Sequence, residues 1–201
     1  MKAVVLAAGL GTRMRPLTFT KPKFLLPVAG KPALDHVLLL LRNGGIKEVA
    51  LVVGFGKEQI MERYGDGSSF DLRITYLEQK ELRGTADALS LAEEFATGER
   101  IMVVNGDTLF DQESLDLFLR RYEEVKDCEN FGALMAVIEV DRPEQFGIVT
   151  VEDGKATKIV EKPKRIASRT ANAGVYIFDP AIFDAIKRTK PSKRGEYELT
   201  T

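Results

Sequence analysis

Residues 2–16 read KAVVLAAGLGTRMRP, an apolar run that leads into a loop with two glycines and two arginines. Residues 2–8 predict a short strand, because they are almost all apolar and end abruptly at the glycines. Gly9 and Gly11 carry no side chains, so the backbone can approach a ligand and turn its N–H groups toward an anion. The stretch therefore predicts a strand followed by a phosphate-binding loop.

Short apolar runs continue to alternate with longer helical segments as far as about residue 125, which is typical of a parallel sheet covered on both faces. The predicted strands, all expected to be buried on both sides, are residues 2–8, 48–53, 73–78 and 100–104. The predicted helices are residues 32–42, 57–64, 85–96 and 113–125. After Phe131 the pattern favours strands and tight turns, including a hairpin of residues 147–152 and 155–161.

The composition predicts one globular core. Of the 201 residues, 44% are apolar and 29% are charged, which excludes disordered, collagen-like and coiled-coil proteins. Lys and Arg (29) balance Asp and Glu (30), so a nucleic-acid or membrane-surface partner is not expected. No linker or repeat divides the chain, and we expect one domain with two lobes.

The single cysteine and the first residues both bear on location. Cys128 has no second cysteine to pair with, which fits a reducing compartment. No apolar run reaches the roughly 18–20 residues of a membrane span, and the N-terminus lacks the pattern of a signal peptide. We therefore expect a cytoplasmic protein whose N-terminus belongs to the fold.

Positive charge is concentrated around the glycine loop. The first acidic residue is Asp35, and six cations precede it: Lys2, Arg13, Arg15, Lys21, Lys23 and Lys31. Such a segment could hold a triphosphate through charge-assisted hydrogen bonds. Met14 stands where the dinucleotide fingerprint has a third Gly or Ala, which disfavours NAD. The pattern GxxxxGK[ST] is absent, which disfavours P-loop kinases and ATPases.

Two further positions suggest ligand contacts. Gln79 offers both a donor and an acceptor to a pyrimidine, and Gly84 leaves a backbone N–H at a predicted helix start; alternatively, Gly84 and Thr85 only cap that helix. Asp107 follows the fourth strand at its carboxyl end, where ligands bind in open α/β sheets, and could hold magnesium against phosphate oxygens. The alternative for Asp107 is an ordinary turn residue.

The runs LAAGLGTRMRPLT and KPKFLLPVAGKP resemble the signature of the sugar-1-phosphate nucleotidylyltransferases. The resemblance implies an α/β fold: a Rossmann-like, three-layer α/β/α arrangement with a mixed, mostly parallel sheet and a β-rich sugar-binding lobe. It implies one catalytic domain over residues 1–201, with a nucleotide-binding half (1–125) and a sugar-binding half (126–201). The implied nucleotide-binding residues are Leu6, Ala8, Gly9, Gly11, Thr12, Arg13, Gln79, Gly84 and Thr85, and Lys23 would contact the α-phosphate.

Three segments of the second half also resemble the family's sugar-binding elements in their usual order. They are Phe146-Gly147-Ile148-Val149, Val160-Glu161-Lys162-Pro163 and Ala171-Asn172-Ala173-Gly174-Val175-Tyr176. The resemblance implies that the sugar phosphate is bound by Gly147, Glu161, Lys162 and Asn172. Carboxylate and amide groups suit sugar hydroxyls, and a lysine suits a phosphate. Taken singly, each could be a surface hairpin residue.

The implied reaction transfers a nucleotidyl group from UTP or dTTP to a sugar 1-phosphate, with glucose 1-phosphate favoured. Arg13, Lys23 and Asp107 would be catalytic, Asp107 would bind Mg2+, and a homo-oligomer is a further expectation from the resemblance. The alternatives are a mannose-1-phosphate guanylyltransferase, a cytidylyltransferase, a noncatalytic nucleotide-sugar-binding regulatory module and, more remotely, a nicotinamide oxidoreductase.

The segment Gly195-Glu196-Tyr197-Glu198-Leu199-Thr200-Thr201 resembles one that continues, in the family, toward a second metal ligand in a pattern such as WxDxG. The chain has no tryptophan. The expectation is a catalytic domain cut short or a divergent small member, with weak or absent turnover and retained nucleotide binding. A further β-helical domain in a longer protein stays open.

Overall fold

The computed structural model describes residues 1–192 and 195–200. Thr201, the last residue of the C-terminal segment discussed above, lies outside the described residues. The strands are β1 Lys2–Ala7, β2 Pro27–Val28, β3 Lys31–Pro32, β4 Glu48–Val53, β5 Arg73–Glu78, β6 Ile101–Asn105, β7 Ala133–Glu139, β8 Gly147–Glu152, β9 Lys155–Glu161 and β10 Thr170–Phe178. The helices are α1 Ala33–Asn43, α2 Lys57–Tyr64, α3 Thr85–Ser90, α4 Glu93–Ala96, α5 Gln112–Val125 and α6 Ala181–Arg188.

Eight strands form one mixed sheet in the order β5-β4-β1-β6-β10-β8-β9, and β7 also pairs with β10. The neighbours β5, β4, β1 and β6 are parallel, whereas β10 runs antiparallel to β6. Strands β2 and β3 form a separate two-stranded sheet. This topology confirms the predicted α/β class, and it places the carboxyl ends of β1 and β6 side by side.

Two apolar cores cover the two faces of the sheet. Alternate residues of β1 divide between them: Ala3, Val5 and Ala7 join one core, and Val4 and Leu6 join the other. Helices α1, α2 and α5 contribute to the first core, and α3, α4 and α6 contribute to the second. The predicted three-layer arrangement is thereby confirmed.

Local signals explain where several elements begin and end. Helix α1 follows Pro32 and stops at Gly44, and the Asp111 carboxylate caps α5 by accepting from the backbone N–H of Ser114 at 2.8 Å. The hairpin of β8 and β9 has the predicted bounds, with a turn at Asp153 and Gly154. Within the described residues, no helix combines the length and apolar character that crossing a membrane requires.

Two predictions about individual elements were wrong. Residues 73–78 were expected to be buried on both sides, but β5 lies at the sheet edge and its residues are at most partly buried. Residues 85–96 form two short helices instead of one. Helix α3 ends at Ser90, whose hydroxyl donates to the carbonyl of Asp87 at 2.7 Å, a local bond that competes with helix continuation.

A buried carboxylate joins α1 to α2. Asp35 is 6% exposed and accepts hydrogen bonds from Arg63 Nη2 at 2.6 Å, Arg63 Nε at 3.1 Å and the Tyr64 hydroxyl at 2.7 Å. Burial, together with the hydrogen bond to Asp35, raises the pKa of Tyr64 well above its usual range. The Tyr64 hydroxyl therefore stays protonated and acts as a donor.

We expect Asp35→Ala to lower the free energy of unfolding by about 2–3 kcal/mol, because it leaves the buried Tyr64 hydroxyl without its acceptor. The figure is below that of a fully buried pair, since the Arg63 side chain is partly solvated. Urea denaturation measures the change. Asp35→Asn keeps an acceptor for Tyr64 and should cost less; equal losses for the two variants would contradict the explanation.

Candidate active site

A cleft of about 690 Å³ opens at the carboxyl ends of β1 and β6 and extends beside β8, β9 and β10. This volume is in the usual range for small-molecule sites. Every residue predicted from the sequence to bind nucleotide, sugar phosphate or metal lines this one cleft: Leu6, Ala8, Gly9, Gly11, Thr12, Arg13, Lys23, Gln79, Gly84, Thr85, Asp107, Gly147, Glu161, Lys162 and Asn172. The fold thus brings together residues that lie far apart in the sequence.

The glycine loop leaves room for the side chain of Lys23. A Cβ on Gly11 would lie 2.9 Å from Lys23 Cβ, and a Cβ on Gly9 would lie 3.4 Å from Lys23 Cε. The Thr18 hydroxyl donates to the Gly11 carbonyl at 2.8 Å, which also fixes the loop. Arg13 follows in a single 3-10 turn and is exposed at the cleft. The loop therefore presents a lysine and an arginine to one space.

Lys23 Nζ lies 2.7 Å from Asp107 Oδ2, and the two side chains are 21% and 45% exposed. The N–H of Gly106 donates to the Leu6 carbonyl at 2.9 Å and holds the end of β6 beside the end of β1. Asp107, the next residue, therefore lies close to the glycine loop. A Cβ on Gly106 would lie 3.0 Å from the Phe24 ring, so the close approach favours glycine. The positive charge of Lys23, beside the glycine loop, and the negative charge of Asp107, just after β6, are thus in direct contact.

Asp107 fits a magnesium ligand. The described residues contain no group of three or more His, Cys, Asp or Glu side chains that could enclose a metal ion. Mg2+ binds through one or two carboxylates and completes its octahedron with water and substrate phosphate oxygens. A solvent-accessible carboxylate beside an anion-binding loop meets that requirement. Asp107 is therefore suited to hold Mg2+ together with a bound phosphate.

Gln79 is 5% exposed and anchors the loop between β5 and α3. Its Nε2 donates to the Gly84 carbonyl at 3.0 Å and to Asp87 Oδ2 at 2.8 Å. Both amide hydrogens are thus used inside the loop. The sequence analysis expected Gln79 to offer a donor and an acceptor, but the structure leaves the side-chain oxygen for a ligand.

Residues 196–200 form the wall of the cleft next to this loop. The N–H of Tyr197 donates to the Arg83 carbonyl at 2.6 Å, and the N–H of Ala86 donates to the Tyr197 carbonyl at 2.8 Å. The Thr85 hydroxyl accepts from the N–H of Leu199 at 3.0 Å. Gly84 is the N-cap residue of α3, and the Thr85 hydroxyl is bonded to the segment of residues 196–200.

The predicted sugar-binding residues lie together on β8, β9 and β10. A Cβ on Gly147 would lie 3.0 Å from Glu161 Oε2, so glycine there leaves space for the carboxylate. Lys162 has a φ of 45°, a conformation that is strained for a side-chain-bearing residue. Asn172 accepts from the N–H of Gly174 at 2.9 Å and donates to the hydroxyl of Tyr176, whose pKa is raised by burial.

Sequence reasoning missed part of the lining. The additional polar residues on the cleft are Asn105, Thr108, Gln145, Tyr176, Glu196, Glu198 and Thr200. Asn105 and Thr108 flank Asp107, and that proximity in sequence could have identified them. No local pattern could have placed Glu196 and Glu198, because the contacts of their segment with the loop after β5 span more than 100 residues.

A parallel sheet core with a glycine loop, cations and a carboxylate around one cleft is an arrangement typical of α/β proteins that bind phosphates. The family model described as nucleotidyl transferase matches residues 2–201. The chain belongs to the nucleotidyl transferase family.

Three of the similar proteins have names that describe nucleotidyltransferases. Over its whole length the chain is 40% identical to the low-salt glycan biosynthesis nucleotidyltransferase Agl11 of Haloferax volcanii, of which it spans 55%. It is 39% identical to the UTP–glucose-1-phosphate uridylyltransferase AglF of the same organism, of which it spans 81%. A Bacillus anthracis structure named as a glucose-1-phosphate thymidylyltransferase, in complex with sucrose, superposes with a TM-score of 0.88 at 35% identity and covers all of this chain and 80% of that one.

Proposed function

We propose that the protein transfers a nucleotidyl group from UTP or dTTP to a sugar 1-phosphate, glucose 1-phosphate being favoured, and releases pyrophosphate. The observation that carries the proposal is that one cleft is lined by the Lys23–Asp107 pair, by the loop between β5 and α3 that would bind the base, and by the candidate sugar-binding residues of the second half. The names of AglF and of the B. anthracis protein support glucose 1-phosphate as acceptor.

The reaction follows from the charges in the cleft. A phosphate oxygen of the sugar 1-phosphate attacks the α-phosphorus, a new P–O bond forms, and the bond to the β-phosphate breaks as pyrophosphate leaves with its electron pair. The nucleophile is already an anion, so no general base is needed. Catalysis then depends on positioning two anions and neutralising the charge of the transition state.

The proposed roles divide between the two lobes. Arg13 and Lys23 neutralise the triphosphate, and Lys162 holds the phosphate of the sugar. Glu161 and Asn172 accept and donate hydrogen bonds to sugar hydroxyls. Asp107 would hold Mg2+, which supplies positive charge beside the phosphate oxygens when bound. We assign nucleotide binding to residues 1–125 and sugar binding to residues 126–201. Residues 196–200 are an exception, because they also contact the loop between β5 and α3, which would bind the base.

The Gln79 oxygen favours uracil or thymine. These bases present an N3–H to an acceptor, whereas cytosine has a lone pair at N3. Guanine also presents N–H groups, so a guanylyltransferase is the second candidate that an experiment must separate. The side-chain amide of Gln79 gives no reason to choose between UTP and dTTP.

The direct test is pyrophosphate release with Mg2+ over a grid of UTP, dTTP, GTP and CTP against glucose, N-acetylglucosamine and mannose 1-phosphates. We expect UTP or dTTP to bind and to give, with glucose 1-phosphate, a signal that is weak, in keeping with the weak or absent turnover expected from the sequence. Binding of each triphosphate is measured in parallel by titration calorimetry. Absence of both release and binding would reject the proposed function, and a signal confined to GTP would select the second candidate.

We expect Asp107→Ala to lower the rate of pyrophosphate release about 100- to 1,000-fold, because the carboxylate that would hold Mg2+ beside the phosphates is lost. The matched control is Asp127→Ala, which removes an exposed carboxylate away from the cleft. The control should retain full activity. An Asp107→Ala rate within tenfold of the wild type would reject the role assigned to Asp107.

A further inference from the structure

Asp87, in the first turn of α3, holds the amide of Gln79. Asp87 Oδ2 accepts from Gln79 Nε2 at 2.8 Å, and its other oxygen, Oδ1, accepts from Arg83 Nη2 at 2.7 Å. The Asp87 side chain is only 14% exposed. The carboxylate is therefore fixed between a buried amide and a guanidinium at the base of the loop.

The partners of Gln79 determine which way its amide faces. An amide can be rotated by 180° with little change of shape, which exchanges its donor and its acceptor. Here both inner partners, the Asp87 carboxylate and the Gly84 carbonyl, only accept hydrogen bonds. The rotated amide would set its oxygen against two other oxygens and remove the amide donor from Asp87 Oδ2, whereas the Gly84 carbonyl would keep its bond from the N–H of Ala88 at 3.1 Å. The orientation with the nitrogen inward is thus enforced.

We propose that Asp87 is a positioning residue that determines base specificity by keeping the oxygen of Gln79, and not its nitrogen, available to the nucleotide base. The site then accepts uracil or thymine through N3–H and rejects cytosine, whose N3 lone pair would face the Gln79 oxygen. This inference rests on the proposed function, because it requires that Gln79 meets the base. Asp87 acts through Gln79 and does not contact the base.

The test compares the affinities for UTP and CTP of the wild type, Asp87→Asn and Arg83→Gln, measured by titration calorimetry with Mg2+. An asparagine at position 87 can donate as well as accept, so it no longer opposes rotation of the Gln79 amide, and only the Gly84 carbonyl still favours the orientation with the nitrogen inward. We expect the UTP-to-CTP affinity ratio to fall at least tenfold in Asp87→Asn. Arg83→Gln removes the ion pair but keeps the carboxylate on Gln79, and its ratio should match the wild type.

A second measurement needs no variant at position 87. In the ¹H–¹⁵N spectrum of the wild type, the side-chain amide protons of Gln79, assigned with Gln79→Leu, should exchange slowly and should shift little when UTP binds. Large shifts of these protons on UTP binding would overturn the inference, because the nitrogen would then face the base.

The outcomes separate the two proposals. An unchanged affinity ratio in Asp87→Asn overturns the role of Asp87 while UTP binding upholds the proposed function. An equal fall of the ratio in Arg83→Gln also overturns it, because loss of the loop's ion pair alone would then explain the effect. A wild type that binds no triphosphate, or prefers CTP, rejects the assignment of the base to Gln79.

Discussion

Replacing Lys23 with alanine is expected to reduce the rate of pyrophosphate release about 100- to 1,000-fold, equivalent to about 2.7–4 kcal/mol of transition-state stabilisation. Lys23 lies across the glycine loop with its Nζ 2.7 Å from Asp107, so its charge is already positioned before a nucleotide arrives. Arg13 is exposed at the same loop, and its replacement by alanine should reduce the rate of pyrophosphate release by a factor of the same order. Initial rates at saturating substrate measure both.

The matched control for Lys23 is Lys21→Ala, which removes an exposed lysine two residues away that does not line the cleft. It should change the rate less than twofold. Thermal unfolding of all variants tests whether the fold is intact, since a partly exposed ion pair contributes only about 0–1 kcal/mol to stability. Losses below tenfold for both Lys23→Ala and Arg13→Ala would refute their assignment to the reaction.

The second large effect is expected for Gly84→Ala. Gly84 has φ 115° and ψ 179°, a region that is almost exclusive to glycine. An added Cβ would also lie 2.4 Å from the carbonyl oxygen of Tyr197, a backbone atom that cannot rotate away. The loop must shift to relieve both, at a cost of at least about 1–3 kcal/mol. We expect UTP affinity to fall at least tenfold, measured by titration calorimetry.

Gly98→Ala separates the two causes of the expected loss of UTP affinity, which are the strained backbone conformation and the close contact with Tyr197. Gly98 also has a positive φ, 72°, but no atom lies within 4 Å of an added Cβ there. It lies in the turn after α4 and outside the cleft, so it should lower stability slightly and leave UTP affinity unchanged. If Gly84→Ala binds UTP as tightly as the Gly98 variant, the close contact with Tyr197 has no role in nucleotide binding.

The parallel half of the fold could be predicted because its signals are local. Each strand from β1 to β6 in the main sheet is a short apolar run. Pro32 marks the start of α1, and Gly44 marks its end. The edge position of β5 could not be predicted, because its apolar residues resemble those of a central strand and only the sheet order shows that one side is unpaired. The break after α3 coincides with the hydrogen bond from the Ser90 hydroxyl to the Asp87 carbonyl, which the sequence pattern does not show.

Gly9, Gly11, Gln79, Gly84 and Asp107 were candidates because they lie at or after recognisable strands and glycines, and the resemblance to the family implied the other residues of the site. Their interactions were not predictable. The sequence shows Gln79 and Asp87 eight residues apart but does not show that the carboxylate uses the donor of the amide. The pairing of Lys23 with Asp107 joins residues 84 positions apart and requires the parallel pairing of β1 with β6.

The contacts of residues 196–200 also determine which part of the cleft forms last during folding. Leu199 meets Thr85 across 114 residues, and Tyr197 bonds to both sides of Gly84. A chain leaves the ribosome from its N-terminus, and contacts between distant residues form late because they close a long loop. The loop between β5 and α3 therefore acquires this wall only after the strands of the second half have emerged, and a nascent chain that ends before residue 197 lacks the finished cleft.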